Sequence, residues 1–279
     1  MSAFLGVLLL SLTSFAGCNS FLFYPEKEHF ANPHLQRVAH EDIFFAAPDG
    51  PRLHGWLLRP AGIPRGTLLF LHGNAENIST HVDSVLWLAL EGYRIFLFDY
   101  RGYGKSEGRP TLDGVHADAM AALDTVLTLP GVEKDRIVVL GQSLGGAVSV
   151  YAVANSPRRD RVKALIIDSS FDGYRNIARE KIASLVLTWP LSYPAALFFD
   201  DRYSPLRWID RIGPIPVIVI HGTADRVVPF PHGERLYRQA KEPKGFWIAR
   251  GRGHIEGLAE ESLRKQLLLF LSDVPGNGE

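Results

Sequence analysis

The sequence predicts an α/β fold with a mainly parallel central sheet, and three observations support this prediction. Short apolar runs without polar alternation recur from residue 67 onward, as expected of strands that are buried on both faces. Segments with helical spacing of apolar residues lie between these runs, and such alternation is typical of parallel strands joined by right-handed crossovers. The 279 residues are 46% apolar, which is enough for one sizeable domain with its own core.

The first two strands are expected to form an antiparallel hairpin at the edge of the sheet. The runs Ile43-Phe44-Phe45 and Leu53 to Leu58 flank Pro48-Asp49-Gly50-Pro51, a combination typical of a turn. Residues 18–40, before the hairpin, are mixed and rich in aromatic side chains. We expect them to be a tether that leads into a domain spanning residues 41–275.

The remaining strands and helices alternate along the chain. Strands are predicted at Thr67–Leu71, Ile95–Phe98, Ile137–Leu140, Ala164–Ile167, Val217–Ile220 and Phe246–Ile248. Helical spacing is found at Val82–Leu90, Val115–Leu127, Glu234–Ala240 and Leu258–Leu271. Helices are therefore expected on both faces of the sheet.

Charge and cysteine content exclude several classes of function. The chain has 30 basic and 30 acidic residues, and this balance gives no reason to expect a nucleic-acid partner. The single cysteine, Cys18, excludes an intrachain disulfide framework and a cysteine-based zinc cluster.

The N-terminal residues indicate a targeting segment. Residues 1–17 contain an apolar run that is too short to cross a bilayer but has the length of a signal-peptide core. Ala16-Gly17-Cys18 resembles a bacterial lipobox, which implies that residues 1–17 are removed and that Cys18 is lipidated. The protein would then be lipid-anchored in the bacterial cell envelope, facing the periplasm or in the outer membrane. The alternative is an amphipathic segment with an ordinary free thiol.

Gly141-Gln142-Ser143-Leu144-Gly145 is a candidate nucleophile elbow. The pentapeptide follows the apolar run 137–140 and precedes a stretch of small residues that is typical of a helix start. A sharp turn between strand and helix lifts the serine hydroxyl above the sheet, and the glycines allow the close packing that this turn requires. The helix N-terminus favours the negative charge that develops during acyl transfer.

Five segments together resemble the α/β-hydrolase superfamily, in its serine-hydrolase branch, and in particular bacterial lipoprotein α/β hydrolases. They are Leu71 to Asn77, Asp99 to Ser106, Gly141 to Gly146, His221 to Asp225, and Gly253-His254. The resemblance covers about residues 40–272 and implies an α/β-hydrolase fold with a small helical insertion.

The order of catalytic residues in this fold is serine, acid, histidine. The resemblance therefore implies Ser143 as nucleophile and His254, after the last strand, as its base. Asp225 is at the usual position of the acid that orients the imidazole, and Asp168, one strand earlier, is the alternative. Asp99 is expected to be a turn residue or the partner of an arginine.

The other histidines at or near strand ends are expected to have different roles. His72 and His221 each begin a His-Gly pair and are expected to serve loop structure or the floor of the pocket, and His232 is expected at the surface.

An oxyanion hole needs two backbone N–H groups that are fixed before the reaction. The first is expected from Leu144, the residue after the nucleophile, and the second from Asn74, in the loop after His72-Gly73. Arg101-Gly102-Tyr103-Gly104 resembles the loop that lies beside this hole and is expected to give structural support.

Residues 171–205 separate two strands by more than an ordinary loop. They contain the apolar stretches Ile182 to Trp189 and Ala195 to Phe199, which prolines interrupt, so a transmembrane helix is excluded. Two interpretations stay open: a helical excursion that packs on the core, and a small lid over Ser143 with an apolar groove.

These observations predict a serine hydrolase that cleaves carboxylic ester or thioester bonds, with acyl or other apolar substrates slightly favoured. A peptidase or amidase with the same triad is the alternative among enzymes. A non-catalytic binding protein on the same fold is the alternative outside them. The expected partners are a small ester or acyl substrate and the membrane through Cys18, with no metal and no organic cofactor.

Overall fold

The computed structural model describes residues 23–132, 137–183 and 199–273 of the chain. In these ranges an eight-stranded sheet forms the centre of the molecule. Its strands β1 to β8 are Ala39–Ala46, Arg52–Arg59, Thr67–Leu71, Arg94–Asp99, Ile137–Gln142, Val162–Asp168, Val217–Gly222 and Lys244–Ala249. Their order across the sheet is β1-β2-β4-β3-β5-β6-β7-β8. The pairs β1–β2 and β2–β4 are antiparallel and the others are parallel, which confirms the predicted sheet and its edge hairpin.

Helices α1 to α6 connect the strands, and α7 follows the last strand. They are Ile78–His81, Leu86–Leu90, Leu112–Val126, Leu144–Asn155, Tyr174–Ala183, Pro231–Gln239 and Glu261–Asp273. Short 3-10 turns occupy Pro33–Arg37, Val82–Ser84, Arg159–Arg161, Pro205–Arg207, Ile209–Arg211 and Gly257–Ala259. The helix predicted at 82–90 is divided into a 3-10 turn and α2. Within the described ranges, no helix has both the length and the apolar character needed to cross a membrane.

The two faces of the sheet bury two separate apolar clusters. Leu69 and Val139 point to the face that is covered by α3, α4 and α6. Leu68 and Val138, their neighbours in sequence, point to the face that is covered by α1, α2 and α7. Because successive side chains of a strand point to opposite faces, strands covered on both sides have no polar alternation. This is the physical origin of the continuous apolar runs.

The segment before β1 packs on the domain. Phe23 is buried in the cluster beneath α3 and α4, and Tyr24–Pro25 forms a short parallel ladder with Ala75–Glu76. The amide of Asn77 donates hydrogen bonds to two backbone carbonyls of the segment, at 3.1 and 2.7 Å. The structure therefore extends the packed domain to Phe23, well before the predicted boundary at residue 41. Residues 1–22, with Cys18 and the predicted signal peptide, lie outside the described residues.

The insertion predicted at 171–205 is described in part. Its residues Tyr174–Ala183 form α5, and its last residues, from Phe199 onward, return to the domain. The amide of Tyr174 donates a hydrogen bond of 3.0 Å to Ser204 Oγ, so the two ends of the insertion are joined at their base. Most of the two predicted apolar stretches lies at 184–198, outside the described residues.

Candidate active site

Ser143 occupies the single-residue turn between β5 and α4. Its backbone has φ 54° and ψ −115°, a strained conformation for a residue with a side chain. A side chain at Gly141 would collide with the backbone of Gly145, and one at Gly145 would collide with the backbone of Leu71. The sharp turn is therefore possible only with glycine at both positions, which is the constraint expected of a nucleophile elbow.

The structure brings Ser143, His254 and Asp225 together in a continuous chain of hydrogen bonds. Ser143 Oγ lies 3.0 Å from His254 Nε2, and His254 Nδ1 lies 2.8 Å from Asp225 Oδ2. The His254 side chain is 18% exposed, whereas the carboxylate of Asp225 is fully buried. This arrangement allows the imidazole to accept the serine proton while the carboxylate holds its other nitrogen in the donor form.

The environment of Asp225 favours its ionised form. Burial raises the pKa of this carboxyl, but the hydrogen bond from His254 and those from the backbone N–H groups of Val227 and Val228 outweigh burial. Both N–H groups lie 2.8 Å from Oδ1. The resulting pKa is below the ordinary value of aspartate, so the carboxylate is charged at neutral pH.

Asp168, the alternative acid, has other partners. Its two oxygens accept hydrogen bonds from Gln142 Nε2 at 2.9 Å and from Ser169 Oγ at 3.0 Å. Ser169 Oγ in turn accepts the backbone N–H of Ile255, the neighbour of His254. Asp168 thus braces both the elbow strand and the histidine loop, and burial raises its pKa. Of the two candidate acids, the structure places Asp225 against His254.

The two residues predicted for the oxyanion hole, Leu144 and Asn74, both line the cavity that Ser143 faces. Leu144 is the first residue of α4, a position whose N–H has no partner inside the helix. Asn74 lines the same cavity as Ser143 and Leu144. The hydroxyl of Tyr103 donates to the carbonyl oxygen of Asn74 at 2.6 Å and lies 3.1 Å from its side-chain Oδ1, which fixes the loop after Gly73.

His72 and His221 are buried and contact backbone carbonyls. His72 Nδ1 donates to the oxygen of Gly73 at 2.7 Å, and His221 Nε2 donates to the oxygen of Val228 at 2.8 Å. Burial lowers the pKa of His72 to about 3 and also lowers that of His221. Both rings are therefore neutral supports for the loops that carry Asn74 and Asp225.

The prediction that His232 is a surface residue is wrong. Its side chain is fully buried, with Nδ1 2.7 Å from Asp172 Oδ1 and Nε2 2.9 Å from Glu180 Oε2. Arg235 forms an ion pair with the second oxygen of Asp172. The network joins the start of α6 to the insertion helix α5, a tertiary contact that the local sequence does not reveal.

Asp99 has histidine partners in place of the predicted arginine. Its Oδ2 lies 3.0 Å from His29 Nε2, and its Oδ1 accepts the backbone N–H of Ile78 at 2.9 Å. Arg101 instead pairs with Asp118 and Asp49. These ion pairs fix the loop that also carries Tyr103, in agreement with the structural support expected of residues 101–104.

A cavity of about 370 Å³ opens in front of Ser143. Residues 23–38, the segment before β1, are called the leader segment below. The leader segment contributes Phe23 and Tyr24 to the cavity wall, and the insertion contributes most of the rest. The insertion residues are Phe171, Tyr174, Ile177, Ala178, Lys181, Ile182 and Phe199. The sequence singled out the insertion as a possible lid, but no signal in residues 23 and 24 marked them as cavity residues.

Comparison with known proteins agrees with this architecture. A family model described as "Serine aminopeptidase, S33" matches residues 62–195. The chain is 34% identical to YfhR of Escherichia coli K12 over 90% of this chain and 86% of that protein. It is 35% identical to the α/β-hydrolase domain-containing protein WAV2 of Arabidopsis thaliana, over 77% of this chain and 71% of that protein.

Solved structures of similar fold include two esterases. The esterase Pf2001 of Pyrococcus furiosus has a TM-score of 0.71 and 21% identity, covering 90% of this chain and 96% of the other. Acetyl xylan esterase 1 of a Thermoanaerobacterium species has a TM-score of 0.63 and 18% identity, covering 94% of this chain and 93% of the other. At such identities the likeness extends to the fold alone.

Proposed function

Because the chain belongs to the α/β-hydrolase family that includes YfhR and WAV2, we propose that it is a serine hydrolase for carboxylic ester or thioester bonds. The observation that supports the proposal most strongly is the hydrogen-bond chain from Ser143 through His254 to Asp225. A serine hydroxyl alone is a poor nucleophile at neutral pH, and His254 in this hydrogen-bond chain supplies the base that it needs.

In the proposed acylation step, Ser143 Oγ attacks the carbonyl carbon of the substrate while His254 Nε2 accepts the hydroxyl proton. Asp225 stabilises the imidazolium that forms and stays ionised itself. The tetrahedral intermediate then collapses, and His254 returns the proton to the leaving alcohol or thiol. The acyl group remains on Ser143 as an ester.

Deacylation repeats these steps with water as the nucleophile. His254 accepts a proton from the water molecule, whose oxygen attacks the acyl-serine, and then protonates Ser143 as the carboxylic acid leaves. In both steps the negative oxygen of the intermediate would lie between the N–H groups of Leu144 and Asn74. One such donor contributes about 3–4 kcal/mol to the stabilisation of the transition state.

The composition of the cavity wall favours an apolar acyl group. Aliphatic and aromatic side chains predominate along it, with Lys181 as the single charged residue among the described lining residues. Burial of a methylene group in such a wall contributes about 0.8 kcal/mol. We therefore expect the hydrolysis rate to increase with acyl length until the cavity is filled.

A peptidase or amidase with the same triad is a second candidate, because the matching family model is described as a serine aminopeptidase. An aminopeptidase must bind the free ammonium group of its substrate, for which a carboxylate is the natural partner. The described lining contains the cationic Lys181 and no acidic side chain. The lack of an acidic side chain in the described lining favours an ester or thioester substrate over one with a free ammonium group.

Labelling with a fluorophosphonate, followed by rate measurements, tests the proposed activity. The wild type and Ser149→Ala should be labelled. Ser149 lies on α4, but its hydroxyl donates a hydrogen bond to the carbonyl of Gly146, so its removal leaves the nucleophile in place. Ser143→Ala should not be labelled.

Acyl p-nitrophenyl esters of increasing length should be cleaved faster than aminoacyl p-nitroanilides. Labelling of Ser143→Ala would refute the nucleophile, and faster anilide cleavage would favour the aminopeptidase.

We also propose that Cys18 carries the lipid anchor that holds the hydrolase at the bacterial cell envelope. The support is the sequence Ala16-Gly17-Cys18 after an apolar run. Several acyl chains on one residue give stable attachment, whereas one chain binds only marginally. Cys18→Ser should abolish incorporation of labelled fatty acid and leave fluorophosphonate labelling intact. An unmodified Cys18, or an intact Met1, in mass spectra of the mature protein would refute the anchor.

A further inference from the structure

Three side chains from distant parts of the sequence converge outside the triad: His29, His54 and Asp99. One possible ligand atom from each of the three residues, a ring nitrogen or a carboxylate oxygen, lies within 4.8 Å of the others. Asp99 Oδ2 is 3.0 Å from His29 Nε2 and 3.9 Å from His54 Nδ1. The side chains of His54 and Asp99 are fully buried, and that of His29 is 14% exposed.

The hydrogen bonds of His54 leave one of its ring nitrogens unsatisfied. Its Nε2 lies 2.5 Å from Asp42 Oδ1, and a carboxylate can only accept, so Nε2 carries the proton. In a neutral imidazole Nδ1 then presents a lone pair. This buried atom has no hydrogen-bond partner among the described residues. The nearby Asp99 oxygen is too distant for a hydrogen bond and is itself an acceptor.

We propose that His29 Nε2, His54 Nδ1 and Asp99 Oδ2 bind one Zn²⁺ ion, with a water molecule as the fourth ligand. Two imidazole nitrogens and one carboxylate oxygen are a donor set that zinc prefers. Tetrahedral bonds of about 2.0–2.1 Å place donor atoms about 3.3 Å apart. The separations from Asp99 Oδ2, 3.0 Å to His29 Nε2 and 3.9 Å to His54 Nδ1, bracket this value, and one possible ligand atom of each residue lies within 4.8 Å of the others, so side-chain movements toward the ion are needed to complete the site.

The surroundings of the three donors resemble those of a built metal site. Asp42 accepts the Nε2 proton of His54 and so orients Nδ1 toward the ion, as carboxylates commonly do for ligating histidines. The backbone N–H of Ile78 holds the second oxygen of Asp99 at 2.9 Å. The backbone of Gly104 packs closely on Asp99 Oδ2 and His29 Nε2, and a side chain there would collide with both atoms, so glycine is required beside these donors.

The site would fasten the leader segment to the domain. His29 belongs to this segment, whereas His54 and Asp99 belong to β2 and β4 of the sheet. Phe23 and Tyr24, which precede His29, line the cavity in front of Ser143. Zinc would thus stabilise one wall of the cavity without contacting the reacting atoms, and its role would be structural.

Metal titration of the purified full-length protein, after treatment with EDTA, tests the proposal. We expect one Zn²⁺ per chain, a rise in melting temperature on zinc addition, and the intense visible absorption of tetrahedral Co²⁺ when cobalt replaces zinc. If neither metal binds, or if Co²⁺ shows only an octahedral spectrum, the cluster is a hydrogen-bond network and the proposal is wrong.

Variants locate the bound metal. His29→Gln and His54→Gln should abolish stoichiometric binding, and Asp42→Ala should weaken it by about 10- to 100-fold through loss of the hydrogen bond to His54. His34→Gln is the matched control, since His34 is an exposed histidine of the same segment that contacts Asp83. Equal zinc affinity of His29→Gln and the wild type would overturn the assignment, and this variant suffices if His54→Gln fails to fold.

Discussion

His254 and His232 each contact a buried aspartate, but their second ring nitrogens differ. In the triad, Nε2 of His254 faces the hydroxyl of Ser143, and the ring is partly exposed. In the network at the base of the insertion, Nε2 of His232 faces Glu180, and the ring is fully buried. A histidine can act as a base toward a nucleophile only if one nitrogen is left for it. The first pair is arranged for chemistry and the second for holding two helices together.

Among the substitutions that distinguish the two histidine pairs, loss of either reacting group of the triad should have the largest effect on kcat. Ser143→Ala or His254→Gln should lower kcat by roughly 10⁶, because the nucleophile and its base act as a unit. The melting temperature should stay near that of the wild type, since Ser143 and His254 carry no large apolar contact. Esterase kinetics and thermal unfolding of the same preparations measure both quantities. A loss of kcat below tenfold for His254→Gln would contradict its role as base.

Asp225→Asn should have the next largest effect, a fall in kcat of roughly 10⁴, because an amide holds the imidazole in the wrong tautomer. Asp168→Asn is its matched control: it is the equivalent buried carboxylate on the neighbouring strand and contacts Gln142 and Ser169. Its kcat should change only mildly. If Asp168→Asn were the more damaging substitution, the acid of the triad would be on β6.

His232→Gln should have the opposite effects: a loss of stability with little change in kcat. The buried Asp172 and the partly exposed Glu180 would both lose the imidazole as a partner, so the free energy of unfolding should fall by about 2–3 kcal/mol. The kcat per fluorophosphonate-labelled molecule should stay close to that of the wild type at a temperature where the variant is folded. Urea unfolding and active-site titration measure the two effects. A large loss of kcat with unchanged stability would contradict the structural role.

The smallest expected effect is on the acid dependence of stability. Burial raises the pKa of Asp172, but His232 and Arg235 outweigh burial and hold this pKa below its ordinary value. A carboxyl of this kind stabilises the fold above its unfolded pKa of about 3.9, and this contribution is lost as pH falls through the lower folded pKa. The free energy of unfolding of the wild type should therefore decrease as pH falls below about 4.

In His232→Gln the same decrease should be shallower, because the pKa of Asp172 moves back toward its unfolded value. Urea unfolding at a series of pH values compares the two proteins. Parallel curves for wild type and variant would show that Asp172 gains no pKa depression from His232.

Local sequence was sufficient to predict the elbow, whereas its partners were predicted from the resemblance to the α/β hydrolases. Gly141 is required by the backbone of Gly145 in the same pentapeptide, and Gly145 is required by the backbone of Leu71 at the end of the neighbouring strand β3, so the elbow leaves a short pattern of glycines around Ser143. The positions of Asp225 and His254 follow strand ends, and parallel strands bring their carboxyl ends to one edge of the sheet. The continuous apolar runs predicted the sheet for a similar reason, since burial on both faces constrains every residue of a strand.

Tertiary structure alone decided the contacts between segments that are distant in the chain. The sequence by itself determined the α/β fold, the order of its strands and helices, and a candidate triad whose catalytic roles stay predictions. The packing of Phe23 beside the cavity, the burial of His232 and the meeting of His29 with His54 and Asp99 have no local pattern. These contacts depend on how the helices and the leader segment pack on the sheet. They require only that the two groups lie close together in space, whatever their separation in the sequence.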